Sequence, residues 1–163
     1  MLGLLSSRPD GLLGWASIGL AGHFGLLAAA YSFELAWFLT FGVPSATSWG
    51  LGTTAGGHLV ATVGGVVAAV AFFVADNRRK HRELWGAERE GSLGSAAIVF
   101  AAGFGVATVG LILIAWHAGF SSRNEAEQWL QVVAELLLAL AAVCGAIGFF
   151  ASRREILRAA PQS

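Results

Sequence analysis

Four long apolar stretches constrain this chain more than any other feature. They occupy most of its 163 residues, at positions 14–43, 51–75, 93–120 and 128–151. A helix needs about 20 mostly apolar residues to cross the hydrocarbon core of a bilayer, and each stretch is at least that long. Only helices and closed barrels satisfy their backbone polar groups in lipid, and barrel strands are much shorter than these stretches. The sequence therefore predicts an all-α integral membrane protein, folded as a four-helix transmembrane bundle.

The composition leaves little chain outside the membrane. Hydrophobic residues make up 56% of the sequence and charged residues 12%, whereas soluble domains contain about 25% charged residues. The remaining segments are two short tails, two short connections and a basic loop at 76–92. We therefore expect a single transmembrane domain over 1–163, with no catalytic activity of its own.

The charges and the tryptophans predict how the bundle sits in the membrane. Basic residues are concentrated in the 76–92 loop and in the C-terminal tail, and such clusters favour the cytoplasmic side. This positive-inside pattern places both termini and the loop in the cytoplasm. Four tryptophans then lie near the outer boundary: Trp37, Trp49, Trp116 and Trp129. We expect a multi-pass protein of a prokaryotic-type cytoplasmic membrane, with the lipid bilayer as a partner and no nucleic acid.

Small residues recur at helical spacing in the spans. In the second stretch, Gly57, Ala61, Gly65 and Ala69 follow one another every four residues. Transmembrane helices associate where small residues allow the backbones to approach closely. The pattern predicts tight packing inside the bundle. Because small residues surround much of this helix, it also suggests contact with other membrane subunits or with further copies of the chain.

Ionisable residues inside the spans are the main indication of function, because a charge at the bilayer centre is expensive and such residues usually serve the bundle interior or an activity. Glu34, His58, His117 and Glu135 come from four different stretches, and the predicted topology places all of them in the outer half. His23 lies alone in the inner half. We expect any functional site to lie in this outer group.

Several interpretations of this group remain open. The polar side chains can simply satisfy one another and specify the bundle. Alternatively His23, Glu34 and Glu135 form a proton or cation path. A transition-metal site is a third interpretation, since imidazole and carboxylate suit such ions; its ligands are Glu34, His58, His117 and Glu135. As a fourth, His58 and His117 are the axial ligands of a haem b.

These observations support an ordered set of functional predictions. The first is a small polytopic subunit, non-catalytic or cofactor-supporting, of a larger energy-transducing or transport complex. The second is an autonomous cation or proton transporter or channel that uses the outer Glu/His cluster. The third is a membrane redox protein that binds haem b or a metal. No motif in the sequence specifies a substrate.

Overall fold

The computed structural model describes residues 9–42, 45–77, 82–117 and 125–159. They form four α-helices: α1 (Pro9–Phe41), α2 (Ser45–Asn77), α3 (Arg82–His117) and α4 (Glu125–Ala159). Each helix contains a segment long and apolar enough to cross a membrane: Leu13–Phe41, Thr47–Val74, Gly86–Trp116 and Trp129–Ala159. The described residues contain no strand. The prediction of an all-α, multi-pass membrane fold is confirmed.

The helix ends follow from local sequence, with one difference from expectation. Gly42 has φ +77° and donates its backbone N–H to the carbonyl of Phe38 at 3.0 Å, a glycine cap that ends α1 two residues before Pro44. At the opposite end of the bundle, α3 already begins at Arg82, so most of the predicted 76–92 loop is helical. Arg, Glu, Leu and Ala in this segment all favour helix, and the charges of Arg and Glu do not prevent helix formation.

Helices α2 and α3 pack against each other through a seam of small residues. Gly50, Gly57 and Gly64 recur every seven residues on α2, opposite a matching series on α3: Gly110, Gly103 and Ala96. A Cβ atom added at Gly103 would lie 2.6 Å from the backbone N of Ala61 and 2.7 Å from the carbonyl O of Gly57. The seven-residue spacing keeps one face of each antiparallel helix in contact along its length. These glycines therefore set the close approach of α2 and α3.

Helix α2 uses a second face against α1. A Cβ added at Gly65 would lie 2.8 Å from the Cβ of Ala21, and a Cβ added at Gly25 would lie 3.8 Å from the side chain of Thr62. The small residues around α2 are thus in contact with helices of the same chain on two sides. These contacts provide the tight packing inside the bundle that the sequence predicts.

The bundle has two inner and two outer helices. In the described part of the chain, close backbone packing joins α1 to α2, α2 to α3 and α3 to α4, while α1 and α4 make at most marginal contact. The surfaces of α1 and α4 are accordingly mostly exposed and apolar, as expected for helices in contact with lipid. The side of the bundle between α1 and α4 is the least closely packed.

The two ends of the bundle differ in composition. One end carries four exposed tryptophans, which we call the tryptophan end: Trp37, Trp49, Trp116 and Trp129. The opposite end carries four arginines whose side chains the structure describes and is called the arginine end: Arg89, Arg153, Arg154 and Arg158. Tryptophan favours the headgroup level of a bilayer because its ring is apolar and its N–H is polar. The two ends therefore mark the two membrane surfaces, and which of them faces the cytoplasm stays a prediction.

Candidate functional site

One ionisable pair joins two helices inside the bundle. The Nε2 atom of His58, on α2, lies 3.0 Å from the Oε1 atom of Glu135, on α4. The side chain of His58 is 1% exposed and that of Glu135 is 12% exposed. A proton on Nε2 is then donated to the carboxylate, with a geometry suited to a hydrogen bond. This contact links helices that share no extensive backbone packing.

Two aromatic rings of α1 hold the His58 imidazole in a defined plane. Tyr31 stacks on it with centroids 5.5 Å apart and planes 4° apart, and Phe24 stacks on it at 6.0 Å and 10°. Phe24 and Tyr31 are separated by seven residues, about 10 Å along the helix, so the imidazole lies at the level between them. The position of Nε2 is therefore set by α1 as well as by Glu135.

Neither partner of the pair uses its full capacity for hydrogen bonds. His58 Nδ1 and Glu135 Oε2 are both buried and without a hydrogen-bond partner among the described residues. An imidazole that donates from Nε2 carries a lone pair on Nδ1, which can accept a proton. The arrangement can thus take up one more proton without breaking the contact between His58 and Glu135.

Apolar aromatic residues close the site on its other side. Phe24 packs edge-on against Phe104 at 4.9 Å and against Phe100 at 6.2 Å between ring centroids. Phe24, Phe104 and Ala61 form a buried cluster, with Ala139 of α4 packed against it. The ring centroid of His23 is 5.4 Å from that of Phe24, and the side chain of His23 is exposed. Phe24 therefore contacts both the buried imidazole and the exposed one.

The depth of each predicted site residue in the membrane can be measured from the end of its apolar segment. Glu34 lies seven residues before Phe41, and Glu135 lies six residues after Trp129, which places them about 10 Å and about 9 Å from the tryptophan end. His58 lies eleven residues after Thr47, about 16 Å from that end. The segment of α2 begins earlier than the sequence suggested, so His58 is deeper in the bundle than expected.

The structure brings together two of the four residues predicted for the outer group. His58 and Glu135 are in contact. Glu34 is on an exposed face of α1, three residues after Tyr31. His117 is the last residue of α3, and its side chain lies outside the described part of the structure. The metal site and the haem site that include His117 stay predictions.

A metal site would require several of the described His, Cys, Asp or Glu side chains close together. Among them, no group of three or more His, Cys, Asp or Glu side chains is placed to bind one ion. The pair of His58 and Glu135 supplies one nitrogen and one or two oxygens, whereas a transition metal takes about four protein or water ligands. The contact between His58 and Glu135 is instead a hydrogen bond between a base and an acid.

Sequence reasoning missed the residues that enclose the imidazole. Phe24 is one of 11 phenylalanines in the chain, and nothing local distinguishes it from those that face lipid. Two buried threonines were also missed: the hydroxyl of Thr54 donates to the carbonyl of Gly50 at 2.9 Å and that of Thr108 to the carbonyl of Phe104 at 2.7 Å. Such bonds to the preceding turn satisfy a hydroxyl within its own helix, so these threonine hydroxyls require no further hydrogen-bond partner.

Comparisons with protein-family models, with curated proteins and with solved structures find no match to this chain.

Proposed function

We propose that this small multi-pass membrane protein binds and transfers protons at the His58–Glu135 pair. The proposal depends on one observation, the buried 3.0 Å contact between an imidazole and a carboxylate. Histidine is the side chain that titrates nearest to neutral pH, and ionisable residues inside membrane spans commonly belong to ion paths or proton relays. The small-residue seams already supply helix packing, so the costly buried pair is available for another role.

Protons reach the pair through Glu135. This side chain retains 12% of its exposure, against 1% for His58, so the carboxylate is the member of the pair that meets the surroundings. It lies towards the tryptophan end, as does the exposed Glu34. When His58 carries its proton on Nδ1, a proton accepted by Glu135 passes to the lone pair of Nε2 along the hydrogen bond. Nδ1 then releases its own proton, which leaves the neutral imidazole with its proton on Nε2.

Transfer beyond His58 requires a movement of Phe24. The Phe24, Phe104 and Ala61 cluster contains no group that can carry a proton, and Phe24 stacks on the His58 imidazole. The ring of His23 contacts that of Phe24, with 5.4 Å between the centroids. We therefore place the pair on the accessible side of an aromatic gate, with His23 as the next titratable group. This path contains two of the three residues predicted from sequence for proton conduction, His23 and Glu135.

Proton flux into vesicles tests the proposal. The purified chain is reconstituted into liposomes that contain a pH-sensitive dye, and a potassium gradient with valinomycin drives protons inward. Glu135→Gln keeps the shape of the side chain and removes its titration, so flux should fall about a hundredfold, the lower end of the range found for loss of a general acid or base. Glu155→Gln, an exposed residue of the same helix, is the matched control and should retain wild-type flux.

Two results would contradict the proposal. The first is wild-type flux no greater than that of protein-free liposomes, which would exclude autonomous transfer. The second is equal flux in Glu135→Gln and Glu155→Gln, which would separate the flux from the buried pair.

A second candidate function, a subunit of a larger membrane assembly, is favoured by the exposed face of α1. His23 and Glu34 are eleven residues apart, about three turns of helix, so they share one face, together with Gly19 and Ala30, and all four are exposed. Polar side chains at this depth are expensive in lipid, and small residues permit another helix to approach. A partner helix over this face would remove the two ionisable groups from lipid.

Mass measurement separates this second function from the first. Protein extracted from its own membrane in mild detergent is expected to carry a second chain, and Glu34→Leu is expected to release it if the exposed carboxylate forms part of the contact. Only the mass of a single 16.9 kDa chain in the wild-type preparation would contradict the assignment.

A further inference from the structure

A groove between α3 and α4, remote from the buried pair of His58 and Glu135, suggests a ligand site. The groove has a volume of about 520 Å³, within the range of ligand sites in proteins. Alanines allow it to form, and larger aliphatic side chains flank it: Ala101 and Ile98 on α3, and Ala146, Ala151, Val143 and Ile147 on α4. Its lining is therefore almost wholly apolar.

The groove has the length and direction of a lipid chain. Its α4 residues run from Val143 to Arg154, eleven residues or about 16 Å along the helix axis. Val143, Ile147 and Ala151 follow at spacings of four residues and so share one face of α4. The groove thus extends along the membrane normal, from the middle of the bilayer to the arginine end.

Arg154 gives the groove a charged end. Arg154 belongs to the lining, and it has no hydrogen bond or ion pair with any other residue that the structure describes. Arg158 lies one helical turn further along the same face. The neighbouring Arg153 instead packs its side chain 3.1–3.4 Å from the position of a Cβ on Gly91 of α3. One arginine of the adjacent pair therefore serves packing, and the other is available to a ligand.

We propose that this groove binds one anionic phospholipid, with an acyl chain along Val143 and Ile147 and the phosphate on Arg154. A guanidinium matches the oxygens of a phosphate and binds them through two parallel hydrogen bonds. Basic pockets between transmembrane helices, at the level of the headgroups, are suited to such lipids. The apolar lining selects a lipid over a free phosphate ion, and Arg154 selects an anionic lipid over a zwitterionic one.

Native mass spectrometry of the detergent-purified protein tests the charge selection. The protein is titrated with phosphatidylglycerol and with phosphatidylcholine of identical chains. The wild type should prefer phosphatidylglycerol about fivefold, the effect of one arginine near a lipid surface. Arg154→Gln should remove the preference, whereas Arg153→Gln, with the same loss of charge at the next position, should keep it. Equal loss in both variants would show unspecific attraction and overturn the proposal.

A second pair of variants tests the groove itself. Ala101→Trp fills the groove and should reduce the binding of both lipids, while Ala102→Trp places the same ring on the exposed side of α3 and should bind as the wild type does. Wild-type lipid binding by Ala101→Trp would overturn the groove as the site. Arg154→Gln changes an exposed side chain, so the charge test does not depend on whether the tryptophan variants fold.

Discussion

Replacing Gly57 by alanine tests the packing that positions the candidate site. A Cβ at this position would lie 2.5 Å from the carbonyl O of Gly103 and 2.8 Å from the Cα of Ala107, and it would collide with the backbone N of Ala107. All three obstacles are backbone atoms, so no side chain can rotate away. An ordinary contact needs 3.4 Å or more, and α2 must therefore move from α3 by roughly 1 Å.

The size of the effect can be worked from this displacement and from a neighbouring control. Overpacking of this kind costs about 1–3 kcal/mol. At Gly56, by contrast, nothing lies within 4 Å of an added Cβ, and replacing a helical glycine by alanine stabilises by about 0.5–1 kcal/mol. Gly57→Ala gains the same helix-propensity term, so the two variants differ by the overpacking cost alone, and we expect Gly57→Ala to be less stable than Gly56→Ala by about 1–3 kcal/mol.

The free energy of unfolding can be measured in mixed micelles titrated with a denaturing detergent, with the fluorescence of the chain's six tryptophans as the signal. Gly110→Ala should repeat the loss, because its Cβ would lie 2.5 Å from the backbone N of Thr54. Equal stability of Gly57→Ala and Gly56→Ala would refute the assignment of Gly57 to the helix contact.

The same variant connects packing with function. Gly57 precedes His58, so a shift of α2 by about 1 Å would lengthen the 3.0 Å contact with Glu135 beyond hydrogen-bond distance. We expect Gly57→Ala to lose proton flux together with stability, and Gly56→Ala to keep both. Wild-type flux in a destabilised Gly57→Ala protein would show that the pair does not depend on this seam.

Further predictions concern the pair and its surroundings. His58→Leu should lower the free energy of unfolding by about 1–3 kcal/mol, because Glu135 is left buried without its partner; His58→Leu combined with Glu135→Leu should recover most of it, and no recovery would mean that the two residues act independently. Phe24→Ala should raise proton flux into liposomes by opening the aromatic gate, while Phe33→Ala, at an exposed position of the same helix, should leave it unchanged; equal flux in the two variants would remove Phe24 from the gate. The haem hypothesis predicts a b-type absorption difference between reduced and oxidised protein that disappears in His58→Ala, and wild-type protein purified from its own membrane without this band would contradict it.

The sequence was sufficient for the membrane fold because the signals involved are local. The length of each apolar stretch, Gly42 before Pro44 and the tryptophans at the span ends all act within a few turns of one helix. The predicted loop at 76–92 was the exception. There, the charged residues predict a loop, whereas the helix propensity of the same residues extends α3 to Arg82.

The candidate site was predictable only in part. Depth along each span indicated that Glu34, His58 and Glu135 lie towards the same end, because depth depends on residue number alone. Which of them meet depends on the direction of each side chain around its helix and on the neighbours of that helix. Glu34 and Tyr31 are three residues apart on α1, yet Tyr31 stacks on His58 while Glu34 is exposed.

The sequence by itself thus determined that the chain crosses the membrane four times and carries acids and imidazoles at membrane depth, because hydrophobic length and composition are properties of each segment alone. Only the tertiary structure decided that His58 pairs with Glu135 and that its imidazole lies between the rings of Tyr31 and Phe24. The physical reason lies in the glycine seams. The same small residues are compatible with many helix arrangements, and the arrangement in which Gly57 contacts α3 and Gly65 contacts α1 is the one in which His58 reaches α4.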